Sequence, residues 1–253
     1  MKRSIIIGNW KMYANSVADA HILATQIRNH ISVIPGVEAV ICPPAIWLPE
    51  IKAILKKGKV KLGCQDISNE EEGAYTGEIS AKMAAEMAEF VIIGHSERRE
   101  HYGETFFDVN EKAHLALKNG LTPIICIGEK SKNSNLAQPI KELKEALAHI
   151  PKAKHDEIII AYEPIWAISN HGKGESADPD YIVKVIRKLQ EEVGFNTPIL
   201  YGGSVKSANA KSLAERPEIG GALVGAASVR AGEFIKICKI WSESKQISKS
   251  VSQ

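Results

Sequence analysis

The chain alternates short apolar runs with helical segments along most of its length, and this alternation constrains its fold more than any other feature. Eight runs are rich in β-branched residues and almost continuously apolar, which is typical of parallel strands covered on both faces. These runs span residues 4–9, 38–42, 60–65, 90–94, 123–128, 157–163, 198–202 and 222–225. The segments between them repeat apolar residues at helical spacing. The pattern therefore predicts an α/β protein with a parallel sheet.

Eight strand–helix units in 253 residues match a single (β/α)8 barrel. A doubly wound open sheet is the alternative. Because no shift in composition marks a domain boundary, we predict one catalytic barrel domain over residues 1–241 and a polar tail over 242–253. In a barrel the carboxyl ends of all strands surround one mouth, which is where enzymes of this architecture place their chemistry.

Composition and charge argue against several classes of function. A net charge of +2 gives no broad basic field for nucleic acid. No apolar run approaches the roughly 20 residues of a membrane span, and the first apolar run is too short for the core of a signal peptide. The four cysteines are far apart and lack metal-ligand spacing. We therefore expect a cytoplasmic protein with free thiols, without a metal and without a nucleic-acid or membrane partner.

Three predicted strand ends carry side chains suited to proton chemistry. Glu163 ends the apolar sixth strand, directly before a proline. A loop rich in Gly, Ser and Asn follows at 168–177. A carboxylate at an apolar strand end beneath a loop that could cover it is typical of a general base. His95 ends the fourth strand, where the start of a helix disfavours a positive charge on its ring. Asn9 and Lys11 follow the first strand, where they could bind a developing oxyanion. Each could instead be a solvated or capping side chain.

Glycine-rich segments follow the seventh and eighth predicted strands, at 201–205 and 223–228. Glycines let peptide N–H groups approach an anion closely, and helix N-termini add partial positive charge. Each segment alone could be a tight turn. Two of them on adjacent late strands favour a phosphate site, which barrels often place there.

At these strand ends the chain resembles the triosephosphate isomerase family. The blocks that carry the resemblance are GNWKM (8–12), CQD (64–66), GAYTGE (73–78), GHSERR (94–99), CIGE (126–129), YEPIWAI (162–168), YGGSV (201–205) and LVGAAS (223–228). One block alone is weak, but all of them in order are very specific. The resemblance implies a single-domain (β/α)8 TIM barrel that interconverts dihydroxyacetone phosphate and glyceraldehyde 3-phosphate through an enediolate. This is a reaction of glycolysis and gluconeogenesis, and it needs no metal or organic cofactor.

The resemblance also implies roles for individual residues. Glu163 would be the base, and neutral His95 would polarise the substrate carbonyl. Lys11 and Asn9 would support the negative oxygens of the enediolate, and Glu97 would pair with Lys11. The residues that would bind the phosphate are Ser169 in a lid, Ser204, Gly225 and Ala226.

A further implication of the resemblance is a homodimer. The segment from Gly73 to Glu78 is similar to a loop that docks into the neighbouring subunit. Thr76 would then reach the active site of the partner, and Glu78 would pair with Arg98 of the partner subunit. The alternative is a glycine-rich surface loop without a partner.

The chain departs from the family pattern in places. Tyr13 replaces the usual asparagine, the lid segment before Pro179 is longer than usual, and Ala226 puts a methyl group where a peptide approaches phosphate. These changes could weaken phosphate binding, but none removes a catalytic group. A different sugar-phosphate barrel, such as an aldolase, would need a Schiff-base lysine on a strand, and no predicted strand has one in its carboxyl-terminal half. A barrel kept only for binding would have lost Glu163, His95 or Lys11.

Overall fold

The computed structural model describes residues 4–132, 136–168, 176–193 and 198–250. The strands are β1 (Ser4–Asn9), β2 (Val37–Cys42), β3 (Lys61–Cys64), β4 (Phe90–Ile93), β5 (Thr122–Glu129), β6 (Ile159–Pro164), β7 (Ile199–Tyr201) and β8 (Gly221–Val224). All neighbouring strands pair in parallel, and β1 also pairs with β8, so the sheet closes into a barrel. The predicted (β/α)8 barrel is confirmed, and the open doubly wound sheet is wrong.

Helices alternate with the strands and cover the outside of the barrel. They are α1 (Val17–Ile31), α2 (Leu48–Leu55), α3 (Ala81–Ala85), α4 (Ser96–His101), α5 (Phe106–Lys118), α6 (Ala137–Ala146), α7 (Pro179–Val193), α8 (Ser207–Ala214) and α9 (Ala231–Ser250). Side-chain caps start several of them: Thr105, for example, forms a capping box with Asp108 at the start of α5. None of the helices within the described ranges has the length and apolarity needed to cross a membrane.

The core has two parts because every strand is covered on both faces. Inside the barrel, Ile7, Val40 and Ile92 belong to an interior cluster. A larger layer lies between the strands and the helices. This double burial is the physical reason that the strands appear in the sequence as continuous apolar runs.

The last helix, α9, continues through residues 242–250, the first part of the segment predicted as a polar tail. Ser242 and Ser244 are buried, and the hydroxyl of Ser242 donates to the carbonyl oxygen of Pro35 at 2.7 Å. These two serine side chains are thus packed within a segment whose polar composition predicts exposure to solvent. The domain boundary at residue 241 stays a prediction.

Candidate active site

The predicted site residues follow β1, β4, β6, β7 and β8, and the structure brings most of them to one cavity at the mouth. This cavity measures about 470 Å³, and its lining includes Asn9, Lys11, His95, Glu97, Ser204, Gly225 and Ala226. Glu163 lies beside it, because its Oε1 is 3.2 Å from Nε2 of His95. Ser169, the predicted lid contact, lies outside the described residues.

A larger cavity of about 740 Å³ lies between α7 and the segment that follows α8. It is lined by charged side chains such as Lys184 and Glu191 and by none of the predicted site residues. Cavity size alone would therefore have indicated the wrong place. The convergence of chemically suited side chains at the strand ends is the better criterion.

Glu163 is fully buried at the end of β6. One carboxylate oxygen, Oε2, accepts a hydrogen bond from the backbone N–H of Ser96 at 2.9 Å. This N–H opens α4, so the helix terminus favours the negative charge. The other oxygen, Oε1, makes no hydrogen bond with any described residue. A buried carboxylate oxygen without a hydrogen-bond partner is well placed to accept a proton from a substrate.

Two glycines allow the neighbouring strands to approach Glu163 closely. A β-carbon at Gly202, directly after β7, would lie 2.9 Å from Cγ of Glu163. One at Gly128, on β5, would lie only 1.8 Å from the carbonyl oxygen of Glu163. Both the main chain and the side chain of Glu163 are therefore held by contacts that only glycine permits.

His95 precedes α4 and is nearly buried. Its Nδ1 accepts the backbone N–H of Glu97 at 3.2 Å. Because an imidazole nitrogen that accepts a hydrogen bond carries no proton, the ring is neutral and its proton lies on Nε2. Nε2 is the atom that faces Glu163, so His95 presents a hydrogen-bond donor to the space beside the carboxylate.

Lys11 adopts an unusual backbone conformation, with φ of +50°. Such left-handed geometry is strained for a lysine and persists only where the surroundings hold it. Here the Lys11 N–H donates to Oδ1 of Asn9 at 2.9 Å, and its carbonyl accepts from Nε2 of Gln65 at 2.8 Å. Gln65 also donates to the carbonyl of Cys42. Gln65 therefore supports the backbone of Lys11. A single glutamine after a strand does not reveal this role in the sequence.

The side chain of Lys11 reaches Glu97, with Nζ 2.5 Å from Oε1. Burial opposes ionisation of Glu97, but the hydrogen bond from Lys11 and the positive charge of Lys11 lower the pKa of the Glu97 carboxyl below its usual range. A β-carbon at Gly225 would lie 3.1 Å from Cε of Lys11. The ammonium is thus held between a carboxylate and the end of β8.

The segments after β7 and β8 supply another part of the cavity lining. Ser204 is buried, and a 3-10 turn over Ala226–Val229 follows Gly225. The hydroxyl of Ser228 donates to the carbonyl of Asn9 at 3.1 Å, which ties this turn to the end of β1. The turn after β8 is therefore held against the end of β1, two residues before Lys11.

The predicted interface residues lie outside the cavity at the barrel mouth. Thr76 and Glu78 are exposed and do not line the cavity. Arg98 is engaged within its own chain, with Nε 2.8 Å from Oδ2 of Asp66. Burial raises the pKa of Asp66 to about 6, against the opposing charges of Lys112 and Arg98. The single chain thus leaves the loop from Gly73 to Glu78 exposed.

The cavity also contains residues that sequence reasoning missed. Besides the predicted set, its lining includes Tyr13, His101, Ile168, Lys206, Leu223 and Arg230. Lys206 and Arg230 each follow a glycine-rich segment closely, and this position in the sequence could have indicated that they lie near the cavity. A lysine or arginine in a loop is usually only solvated, and the glycine-rich motif alone did not distinguish these two residues from solvated ones.

Comparison with known proteins agrees with the geometry. The family model described as triosephosphate isomerase matches residues 4–241. A relative named triosephosphate isomerase from Dehalococcoides mccartyi is 42% identical over 248 residues, covering 94% of this chain and 97% of the relative. Another of that name from Alkaliphilus oremlandii is 41% identical, covering 94% and 99%. The crystal structure of triosephosphate isomerase from Bartonella henselae has a TM-score of 0.82 at 35% identity, covering 94% and 99%. The chain therefore belongs to the triosephosphate isomerase family.

Proposed function

We propose that the cavity at the barrel mouth is the active site in which the chain interconverts dihydroxyacetone phosphate and glyceraldehyde 3-phosphate. The observation that carries this proposal is the pairing of Glu163 and His95. A buried carboxylate oxygen lies 3.2 Å from the protonated nitrogen of a neutral imidazole. A base and a hydrogen-bond donor this close together can act on adjacent atoms of one three-carbon substrate.

Glu163 removes the proton from C1 of the ketone and returns it to C2, and the reverse reaction uses the same steps. Loss of the C1 proton forms an enediolate, whose negative charge falls on the former carbonyl oxygen. The hydroxyl proton on the C1 oxygen moves to the C2 oxygen, with Nε2–H of His95 donating to these two oxygens, so that C1 becomes the aldehyde when Glu163 returns its proton to C2. Lys11 and Asn9 stabilise the negative charge on the oxygens during this transfer. Fixed donors of this kind need no reorganisation when the charge develops. Glu97 holds the Lys11 ammonium in position through their ion pair.

Binding of the substrate phosphate is the second part of the proposal. The backbone N–H groups of Ser204, Gly225 and Ala226 bind the phosphate, and the predicted contact from Ser169, outside the described residues, stays a prediction. Because the enediolate can expel phosphate in water, a lid that excludes solvent protects the intermediate.

The direct test is the turnover of glyceraldehyde 3-phosphate by the purified protein. We expect isomerase activity that persists after dialysis against a metal chelator, because the proposed steps use only protein groups. Cleavage of a hexose bisphosphate instead would indicate an aldolase. Binding of a triose phosphate without turnover would indicate a barrel that only binds.

His95→Gln is expected to lower kcat by about 10²-fold or more with a small change in KM. The amide keeps a donor near the substrate but cannot reproduce the position of the ring nitrogen. Steady-state kinetics with both triose phosphates measures the change. A variant in which only KM rises would show that His95 binds substrate without polarising it.

We also propose a homodimer formed through the loop from Gly73 to Glu78. Large apolar side chains are exposed on the single chain, among them Met12 (89%), Tyr102 (74%) and Tyr75 (46%). Contiguous exposed apolar patches mark protein–protein interfaces, and Tyr75 lies within the proposed interface loop. Thr76 then contributes to the partner's active site, and Glu78 pairs with Arg98 of the partner subunit. A cytoplasmic location completes the proposal and suits the four buried free cysteines.

Sedimentation is expected to give a mass twice the 27.6 kDa of one chain. Tyr75→Glu, in the proposed interface loop, is expected to shift the protein toward a less active monomer. Ile22→Glu on α1 changes an exposed apolar side chain outside that loop and serves as the control. A wild-type monomer with full activity would remove the dimer proposal.

A further inference from the structure

The end of β5 extends past its neighbour β4. The last registered pair of these two strands is Ile93 with Ile125, whereas β5 continues to Glu129. On its other side β5 stays paired with β6 up to its last residue, where Glu129 is in register with Pro164. The final residues of β5 are buried and present an edge that β4 does not cover. Because buried backbone groups need hydrogen-bond partners, this edge must be satisfied in another way.

Two charged side chains bind to this edge. Nη1 of Arg99, on α4, donates to the carbonyl oxygen of Cys126 at 3.0 Å. Oε2 of Glu142, on α6, accepts the backbone N–H of Gly128 at 2.7 Å. The guanidinium thus takes the place of a strand N–H, and the carboxylate takes the place of a strand carbonyl. The two side chains also lie near each other, with Nη1 of Arg99 3.8 Å from Oε2 of Glu142.

The carboxylate of Glu142 is held at both oxygens. Besides the bond to Gly128, its Oε1 accepts Nε2 of Gln138 at 2.9 Å, one turn earlier on α6. Burial raises the pKa of the Glu142 carboxyl, while the charge of Arg99 and the hydrogen bond from Gly128 oppose this rise. The negative charge of Glu163 adds to the rise. The two carboxylates therefore interact electrostatically.

Gly128 connects this edge to Glu163. The two residues are in register on β5 and β6, and a β-carbon at Gly128 would lie 1.8 Å from the carbonyl oxygen of Glu163. A displacement of Gly128 therefore also moves the main chain of Glu163. Proton transfer tolerates little displacement of the base, because a misplacement of about 1 Å can cost about 10²-fold in rate.

We propose that Glu142 is a positioning residue for the isomerisation. By holding the N–H of Gly128, while Arg99 holds the carbonyl two residues earlier, it fixes the end of β5 and so the position of Glu163. Glu142 is not among the described residues that line the cavity, so it acts through Gly128 and not on the substrate. The inference rests on the proposed function and adds to it a determinant of kcat outside the cavity.

Two substitutions of Glu142 separate its hydrogen bond from its charge. Glu142→Gln removes the charge but keeps an oxygen that accepts the N–H of Gly128, so kcat is expected to stay within about threefold of the wild type. Glu142→Asp keeps the charge but retracts the acceptor, so kcat is expected to fall about 10-fold with KM nearly unchanged. Steady-state kinetics with glyceraldehyde 3-phosphate measures both. Equal kcat values for the two variants, or a larger loss in Glu142→Gln, would overturn the inference.

Glu142→Leu removes the acceptor altogether, and Asn110→Leu is its control at the other end of α6. Asn110 is buried, and its Nδ2 donates to the carbonyl oxygens of Ala146 at 2.9 Å and Ala148 at 2.8 Å. Both substitutions remove buried hydrogen bonds and are expected to lower stability. Only Glu142→Leu is expected to lower kcat of the folded fraction, by about 10-fold or more. An equal loss of kcat in Asn110→Leu would contradict the inference, and if Glu142→Leu does not fold, the comparison of Glu142→Asp with Glu142→Gln decides.

Amide hydrogen exchange tests the same contact independently of activity. The N–H of Gly128 is expected to exchange faster in Glu142→Asp than in the wild type, and at nearly the wild-type rate in Glu142→Gln. Equal protection of this amide in Glu142→Asp and the wild type would reject the role of Glu142. A wild type that does not isomerise triose phosphates would instead reject the proposed function, whatever the exchange rates are.

Discussion

Replacing Glu163 by glutamine is expected to lower kcat by a factor on the order of 10²–10⁴ while the barrel stays folded. The amide has nearly the size of the carboxylate, and its oxygen can still accept the N–H of Ser96. It cannot accept a proton from carbon, so the proposed general base is lost. Because a buried carboxylate is costly to desolvate, the unfolding free energy is expected to stay equal or rise. Steady-state kinetics and thermal unfolding measure the two effects.

Glu163→Asp refines this prediction. The shorter side chain keeps a carboxylate but retracts it by about one methylene, and a misplacement of that order costs about 10²-fold in rate. A glutamine variant with near-normal kcat would refute the assignment of Glu163 as the base. A glutamine variant that unfolds more easily than the wild type would show that the charge stabilises the site.

Gly128→Ala is expected to destabilise the protein by about 3 kcal/mol or more and to remove most of the activity. The added methyl group would lie 1.8 Å from the carbonyl oxygen of Glu163. This neighbour is backbone, so β5 and β6 must separate where they position Glu163. Denaturant unfolding measures the loss of stability, and kcat of the folded fraction measures the displacement of Glu163.

Gly232→Ala is the matched control for this substitution. Gly232 lies in the first turn of α9, and a β-carbon there meets nothing within 4 Å. The change is expected to be neutral or to stabilise the protein by up to about 1 kcal/mol, because alanine favours helix more than glycine does. If Gly128→Ala unfolded at the same denaturant concentration as Gly232→Ala, the close packing around Glu163 would not contribute to stability.

The fold could be predicted from the sequence because double burial leaves a local signal. Strands covered on both faces appear as continuous apolar runs, and their order fixes which ends share the mouth. Asn9, His95 and Glu163 could therefore be expected at one place from their positions at strand ends alone. The family blocks then suggested what each residue does there.

Other features depend on contacts between segments far apart in the chain. The hydrogen bond from Ser96 to Glu163 and the support of Lys11 by Gln65 join different strand–helix units, so no local pattern reveals them. The continuation of α9 past residue 241 is a similar case. A polar composition predicted a tail, but the contact of Ser242 with Pro35 gives that segment a place against the barrel.

The pairing of β1 with β8 has a consequence for biosynthesis. Gly8 is in register with Val224, so the first strand of the chain finds one of its two neighbours only near the other terminus. Contacts between such distant segments form slowly and late. A nascent chain on the ribosome therefore holds β1 with one edge unpaired until β8 has emerged. A product truncated before β8 is therefore expected to lack the closed barrel and, with it, the activity.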